Sequence, residues 1–468
     1  MKMNYFEQYS SQKKLNSANI EQYTAQKGLA MLTLQLYLDG VWHDAAMLNI
    51  NVPQLGRGSE ALLAYDFTYP AEHLERNDIA SCSLNYPVML IGSHFAQPWF
   101  GFLDDIIPAG ASRRYWTSQP GLQGKSAGEQ DYALLKAGTI APVGNLRIKE
   151  SLPQLPVNST LPTRRFSAEW AIERDSDFLE YAQQMGAASG SATGAGGEAP
   201  KLLLRRNAQQ EVWIDTWQDD PLNQDTPYLV KYPRGARSPI DCDILRAEYH
   251  FYHELQALGI DTNDTRQMLL CEGTRYPSLW LPRFDIAFVE NRKVLYGLES
   301  VYSLMQKAPG SYLNHFDIIH CLIEKLNLAE AERESLVIEW VKRDMLNIAF
   351  GNSDNHGRNS AILKKTSGMW LAPVYAFAPM KADPEGVVRT TQWGSPYEEG
   401  GHYNWHLIAQ RLNYLVSEKR LLEALRILAK KLTGLKARLA QRGVPASILE
   451  MPGVGFNFLD ERIAGWKL

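Results

Sequence analysis

The sequence has little of what would place it outside ordinary folded proteins. Its 468 residues hold four cysteines, Cys82, Cys242, Cys271 and Cys321, with no CxxC pair and no zinc spacing. They read as reduced thiols, which excludes a disulfide framework. No apolar run approaches the roughly 20 residues that cross a bilayer. The opening MKMNYFEQYSSQKKLN lacks the apolar stretch of a secretory signal. Neither charge sign dominates: 48 Lys plus Arg against 52 Asp plus Glu leave −4, which argues against binding nucleic acid by bulk charge. There is no internal repeat and no GxSxG elbow. His250, His253 and Glu254 spell HxxHE, neither the zinc-protease order nor its inverse. A cytoplasmic protein with no membrane segment is expected.

What is present divides the chain. Residues 1–30 are polar and rich in Gln, Ser and Lys, and read as an arm. From Leu32 the apolar residues alternate (Leu32, Leu34, Leu36, Leu38) and run into Asp39-Gly40, a strand feeding a tight turn. Short strand-like pieces continue, so 31–150 is expected to be a small β-rich domain with one or two helices. Pro153, Pro156 and Pro162 mark a linker. One helix is expected from Ala168 to about Gln184, then a Gly-rich run with five glycines between Gly186 and Gly197. Strands are expected at 201–205, 211–216 and 228–232. From Asp243 the period changes from two to 3.6, with Leu245, Tyr249, Tyr252, Leu255 and Leu258 on one face. Helices are expected at 316–326, 335–349 and 418–442. The fold class is α+β: the β-rich domain, a β-containing region 151–285, and a mainly helical region 286–468.

The chemistry concentrates in Gly351-Asn-Ser-Asp-Asn-His-Gly-Arg-Asn359, a polar loop between an apolar-faced helix and a short apolar run. Such residues also make plain turns. The spacing is more specific, because Asp354 and Asn359 stand five apart, as do the Asp and Asn of a kinase loop. Phosphoryl transfer needs a carboxylate beside the attacking hydroxyl and a neutral oxygen ligand for Mg²⁺. Upstream, Gly196 and Gly197 can let backbone N–H groups approach phosphates, although Leu202 excludes a Walker A loop. Lys231 on the third strand-like run suits a phosphate clamp, and Glu248 on the next helix suits its partner. An exposed edge lysine and a solvated helix glutamate are the plainer alternatives. The order of these parts along the chain is that of a kinase.

On these motifs the chain resembles the HipA family of bacterial toxin kinases. Gly196-Gly-Glu-Ala-Pro-Lys201, Leu229-Val-Lys-Tyr-Pro233, Arg283-Phe-Asp285, the 351–359 loop and Leu371-Ala-Pro-Val-Tyr375 all look like family motifs. The flank Phe377–Gly386 looks closest to the HipH-like branch. The resemblance implies a β-rich domain ahead of a two-lobed kinase-like unit, with ATP and Mg²⁺ as cofactors. It implies phosphorylation of protein Ser or Thr, with targets that include aminoacyl-tRNA synthetases, and a HipB-like DNA-binding antitoxin as partner. Asp354 would be the catalytic base, Asn359 a Mg²⁺ ligand, and Lys231 a nucleotide ligand. Lys201 would end the Gly-rich loop, and Glu248, Phe284 and Tyr375 would complete the nucleotide site. Ser189, Ser191 and Thr193 are the candidates for autophosphorylation. One departure stands out: the family reads Tyr-Asp, and that Asp binds the second metal, where this chain has Tyr375-Ala376. Asp383, in a Pro-Glu-Gly turn, is not expected to substitute. The chain is either a natural pseudokinase or a kinase disarmed by an engineered alanine. A rival reading is a DNA- or partner-binding module built on eight Lys or Arg within 419–442.

Overall fold

The computed structural model describes residues 30–139, 142–185 and 199–468. Gly196, Gly197, Ser189, Ser191, Thr193 and most of the N-terminal arm lie outside the described residues.

The N-terminal domain is built on a five-stranded antiparallel sheet in the order β4-β3-β2-β1-β5. The strands are β1 (Ala30–Leu38), β2 (Val41–Ile50), β3 (Ala61–Tyr65), β4 (His94–Ala96) and β5 (Leu146–Ile148). Asp39 and Gly40 turn β1 into β2 with φ of 51° and 88°. Two positive φ values suit the right-handed twist of a hairpin, and Asp-Gly accepts both at little cost. The alternating leucines of β1 are all buried in this domain's core. The domain carries more helix than its strand-like sequence predicts: Pro70–His73, Leu103–Ile106, Gly110–Thr117 and Ala127–Ala137. Most are one- or two-turn segments, too short to show a 3.6 period.

A second sheet of six strands runs β10-β11-β9-β7-β8-β6. It comprises β6 (Phe166–Ser167), β7 (Lys201–Arg206), β8 (Glu211–Trp213), β9 (Thr226–Lys231), β10 (Leu269–Glu272) and β11 (Pro277–Pro282). The expected helix over 168–184 is two, Ala168–Glu173 and Ser176–Gln184. Arg174 takes a left-handed φ of 55°, and the Asp175 carboxylate then caps the second helix through the Asp177 N–H. The Pro239–Ala257 helix packs on this sheet. It starts four residues earlier than its periodicity suggests, at a Ser238/Asp241 capping box with Pro239 in the first turn.

The C-terminal half is mainly helical around one large core, yet it also contains strands. A hairpin pairs β12 (Ile286–Val289) with β13 (Arg292–Leu295). A three-stranded sheet orders β14 (Gly297–Ser300), β16 (Ala361–Lys365) and β17 (Gly368–Leu371). β15 (Leu313–Asn314) pairs in parallel with β18 (Thr391–Gln392). The expected 418–442 helix is two, Glu418–Leu432 and Leu435–Arg442, broken where Gly434 takes φ 73°. The leucine stripe is nevertheless buried, from Leu421 through Leu439. No helix among the described residues is long and apolar enough to cross a membrane.

Candidate active site

A cleft of about 640 Å³ opens between the six-stranded sheet and the helical half. Its apolar wall includes Leu229, Leu281, Phe284 and Tyr375, the last two with ring centroids 5.6 Å apart. Its polar end is formed by Lys201, Lys231, Arg358 and Asn359.

The antiparallel register of β7 and β9 sets Lys201 directly opposite Lys231, so both ammonium groups come to one face. Both residues are buried, at 7% and 8% exposure, which excludes an exposed edge lysine. Glu248, reached from the Pro239–Ala257 helix, gives both carboxylate oxygens to Lys231 Nζ at 2.6 Å. It is not a solvated helix-face glutamate. The Tyr252 hydroxyl donates to Glu248 Oε1 at 2.9 Å and accepts from the Phe377 N–H at 3.4 Å. The lysine–glutamate pair is thereby tied to the backbone beside Ala376. Burial, then the neighbouring Lys231 charge, push Lys201 down to about 7.

The opposite wall is the 351–360 loop. It leaves the Glu330–Ala349 helix, and Gly351 turns the chain with φ 68°. Gly357 is required by space, since a Cβ there would meet Leu313 Cδ1 at 2.7 Å and Tyr302 Cδ1 at 2.8 Å. Side-chain amides lock the loop. Asn359 Nδ2 donates to the Asp354 carbonyl at 2.6 Å, the Asp354 N–H to Asn352 Oδ1 at 3.2 Å, and Asn355 Nδ2 to the Thr391 carbonyl at 2.9 Å. Asp354 and Asn359 are thus fixed to each other, with Asn359 Oδ1 left as an acceptor. His356 places Nε2 3.3 Å from Asp354 Oδ1, while its Nδ1 accepts the Arg358 N–H at 3.2 Å. That acceptance puts the proton of a neutral imidazole on Nε2, where it faces Asp354. Burial lowers the His356 pKa, Asp354 opposes this, and the Arg358 and Lys201 charges add to it.

Lys201, Lys231, Phe284, Asn359, Tyr375 and Ala376 therefore meet in one cleft, with Glu248 behind Lys231 and Asp354 near enough to act on Lys201. Lys201 opens β7. Three residues of the site were not assigned from the sequence. Arg358 lay inside the quoted motif, His356 likewise, and Asn263 lies in a turn with no periodic signal. Asn263 lines the cleft, and its Nδ2 is buried without a hydrogen-bond partner.

The cleft fits a nucleotide, having an apolar slot and a cationic end. It does not supply a full cation site. Among the described residues no cluster of three His, Cys, Asp or Glu is placed to hold a metal, and position 376 offers no side-chain oxygen. Asp383 does not fill the gap, because it is engaged by Arg234 Nε at 3.0 Å.

A family model described as the HipA-like C-terminal domain matches residues 193–434, more than half of the chain. Among solved structures, the chain is similar to one of the Shewanella oneidensis MR-1 toxin–antitoxin system HipA, HipB and operator DNA complex. The likeness has 14% identity and a TM-score of 0.62, and covers 93% of this chain and 97% of that one. A Helicobacter pylori proinflammatory kinase, CtkA, aligns at 14% identity over 52% of this chain and 85% of its own, with a TM-score of 0.32. A search of curated proteins found no match. The first likeness supports the α+β architecture of a β-rich domain followed by a larger unit of sheet and helices. With the family model spanning both walls of the cleft, the chain belongs to the HipA family.

Proposed function

We propose that this chain is a HipA-type serine/threonine protein kinase that transfers the ATP γ-phosphate to a protein hydroxyl, and that it is impaired as written by Ala376. The observation that carries the reading is the buried Lys231–Glu248 pair facing Asn359 and Arg358 across one cleft. Lys231 and Lys201 bind the nucleotide phosphates, while Phe284 and Tyr375 flank the base. Asp354 orients the attacking hydroxyl and accepts its proton, and the His356 N–H facing it holds the carboxylate in place. Asn359 contributes one neutral oxygen toward Mg²⁺. The matching carboxylate is absent at 376, so the chain's own residues position nucleotide and hydroxyl but neutralise the phosphates incompletely.

The backbone at 376 bears on the origin of that alanine. Ala376 has φ 50°, a left-handed conformation that costs most L-residues roughly 1–2 kcal/mol and that Asp or Asn tolerates best. An aspartate suits this geometry better than the alanine does, which favours an engineered change in an otherwise intact kinase over a natural pseudokinase. Reading codon 376 in the native gene separates the two. In its biological setting the active form is read as the toxin of a toxin–antitoxin pair in the cytoplasm. It would slow translation or growth, with an aminoacyl-tRNA synthetase as a candidate substrate and a HipB-like antitoxin as partner.

The test is transfer of labelled phosphate from ATP by the Ala376→Asp chain. Transfer to itself is expected, mapped by mass spectrometry to Ser189, Ser191 or Thr193, and the chain as written should lag by at least roughly 10- to 100-fold, the scale for losing even an outer-shell partner of a metal ligand. No transfer despite unchanged nucleotide binding would count against the kinase reading.

A further inference from the structure

We propose that the β-rich N-terminal domain sets the geometry of the 351–360 loop, with Asp105 as a positioning residue acting through Arg358. This rests on the kinase reading above. Arg358 stands between Asp354 and Asn359, and its side chain lines the cleft. Its Nη2 reaches out of the kinase-like unit and donates to the backbone oxygen of Asp104 at 2.8 Å. Its own backbone oxygen accepts the Tyr375 hydroxyl at 2.6 Å. One residue therefore joins the N-terminal domain, the loop and the segment that carries position 376.

The N-terminal side of this joint is itself fixed. The Asp104 carboxylate pairs with Arg57 and accepts from Trp99 Nε1 at 3.3 Å. Asp105 Oδ2 accepts the Ser300 N–H at 2.8 Å, at the end of β14. Two atoms remain unmet. Asp105 Oδ1 is buried without a hydrogen-bond partner, and so is Arg358 Nε. Burial raises the Asp105 carboxyl to about 6, and the Arg358 guanidinium is the strongest influence the other way, so the two groups lie within electrostatic reach. A buried acceptor and a buried donor of opposite charge are each costly alone and satisfied together. A small closure or one bridging water joins them, and that junction fixes Arg358 and, through the backbone, Asn359.

General domain adhesion does not need this arrangement. Ser83 and the Leu84 N–H already bind Glu299 across the same boundary at 2.6 and 2.9 Å, through no residue of the loop. What Asp105 adds is directed at the loop.

Asp105→Asn tests this in the full chain, since the amide oxygen still accepts the Ser300 N–H while the charge and the second acceptor oxygen are lost. In the chain as written, hydrogen exchange of peptides over 352–360 should quicken by about tenfold with an unchanged melting temperature. In the Ala376→Asp background, Asp105→Asn should lower kcat by about tenfold with KM for ATP held, Arg358→Ala should lower it by roughly 100-fold, and Arg358→Lys should recover part. Unchanged exchange with unchanged kcat overturns the proposal, as does a loss that tracks melting temperature or appears in KM alone. If the Ala376→Asp chain transfers no phosphate, the kinase reading falls, and the exchange measurement still decides the positioning role.

Discussion

Lys201 and Lys231 face each other across two strands, and the carboxylate between the lobes, Glu248, is committed to Lys231. Burial and the Lys231 charge push Lys201 down to about 7, against the opposing pull of Glu248 and Asp354. On the proposed reading, a phosphate bound there would restore the full charge. Below pH 7 Lys201 is already protonated and binding takes up no proton. Above pH 7 binding must recruit one, so nucleotide affinity falls as pH rises, by at most about tenfold per unit. A titration of nucleotide affinity from pH 6 to 9 is expected to show this decline, and Lys201→Met to flatten it relative to the parent. At this scale the sequence was informative where a residue type repeats a known order. Lys231, Glu248, Asp354 and Asn359 were all picked out, and all converge. It was silent on Lys201 as a partner of Lys231, because cross-strand register depends on loop lengths that no local pattern encodes. Asn263 was missed for the same reason: its role comes from where the turn is delivered, not from its neighbours in sequence.

At the scale of elements, the leucine stripe of 421–439 was legible and its burial followed. The break at Gly434 was not, since an isolated glycine within a helical period is often tolerated. The basic residues of 419–442 show the limit of charge counting more plainly. Arg438 and Arg442 both turn inward to buried Glu254, at 2.7 and 2.6 Å. Lys431 donates to the Leu258 carbonyl, Lys436 pairs with Glu450, and Arg420 and Arg426 pair with Glu334 and Glu423. Six of the eight cations are thus engaged by partners as far as 188 residues away in sequence, so the helix pair offers a weak polyelectrolyte face. The purified chain is expected to show shallow salt dependence of any DNA affinity between 50 and 200 mM salt, well short of the roughly 10³-fold change or more that six phosphate contacts produce. A steep slope in a filter-binding series would revive the binding-module reading.

Across the whole molecule, the N-terminal domain is part of the cleft as well as a neighbour of it. Val143 lines the pocket, the Gly144 N–H donates to Asp285 Oδ2 at 2.7 Å, and Arg358 reaches back to Asp104. The change of period near Asp243 marks the Pro239–Ala257 helix and not a domain boundary, since β10 and β11 return to the six-stranded sheet after it. The seam between the N-terminal domain and the rest was not legible in the sequence, because it is made by single residues from distant segments. All these contacts bear on one cleft, which on the proposed reading would be a phosphoryl-transfer site whose position 376 lacks a carboxylate. Calorimetric titration of ATP with and without Mg²⁺, on the chain as written and on Ala376→Asp, tests that account most directly. Mg²⁺ should tighten binding to the aspartate form by roughly 10- to 100-fold and hardly alter the alanine form. An equal Mg²⁺ response in both chains would contradict it.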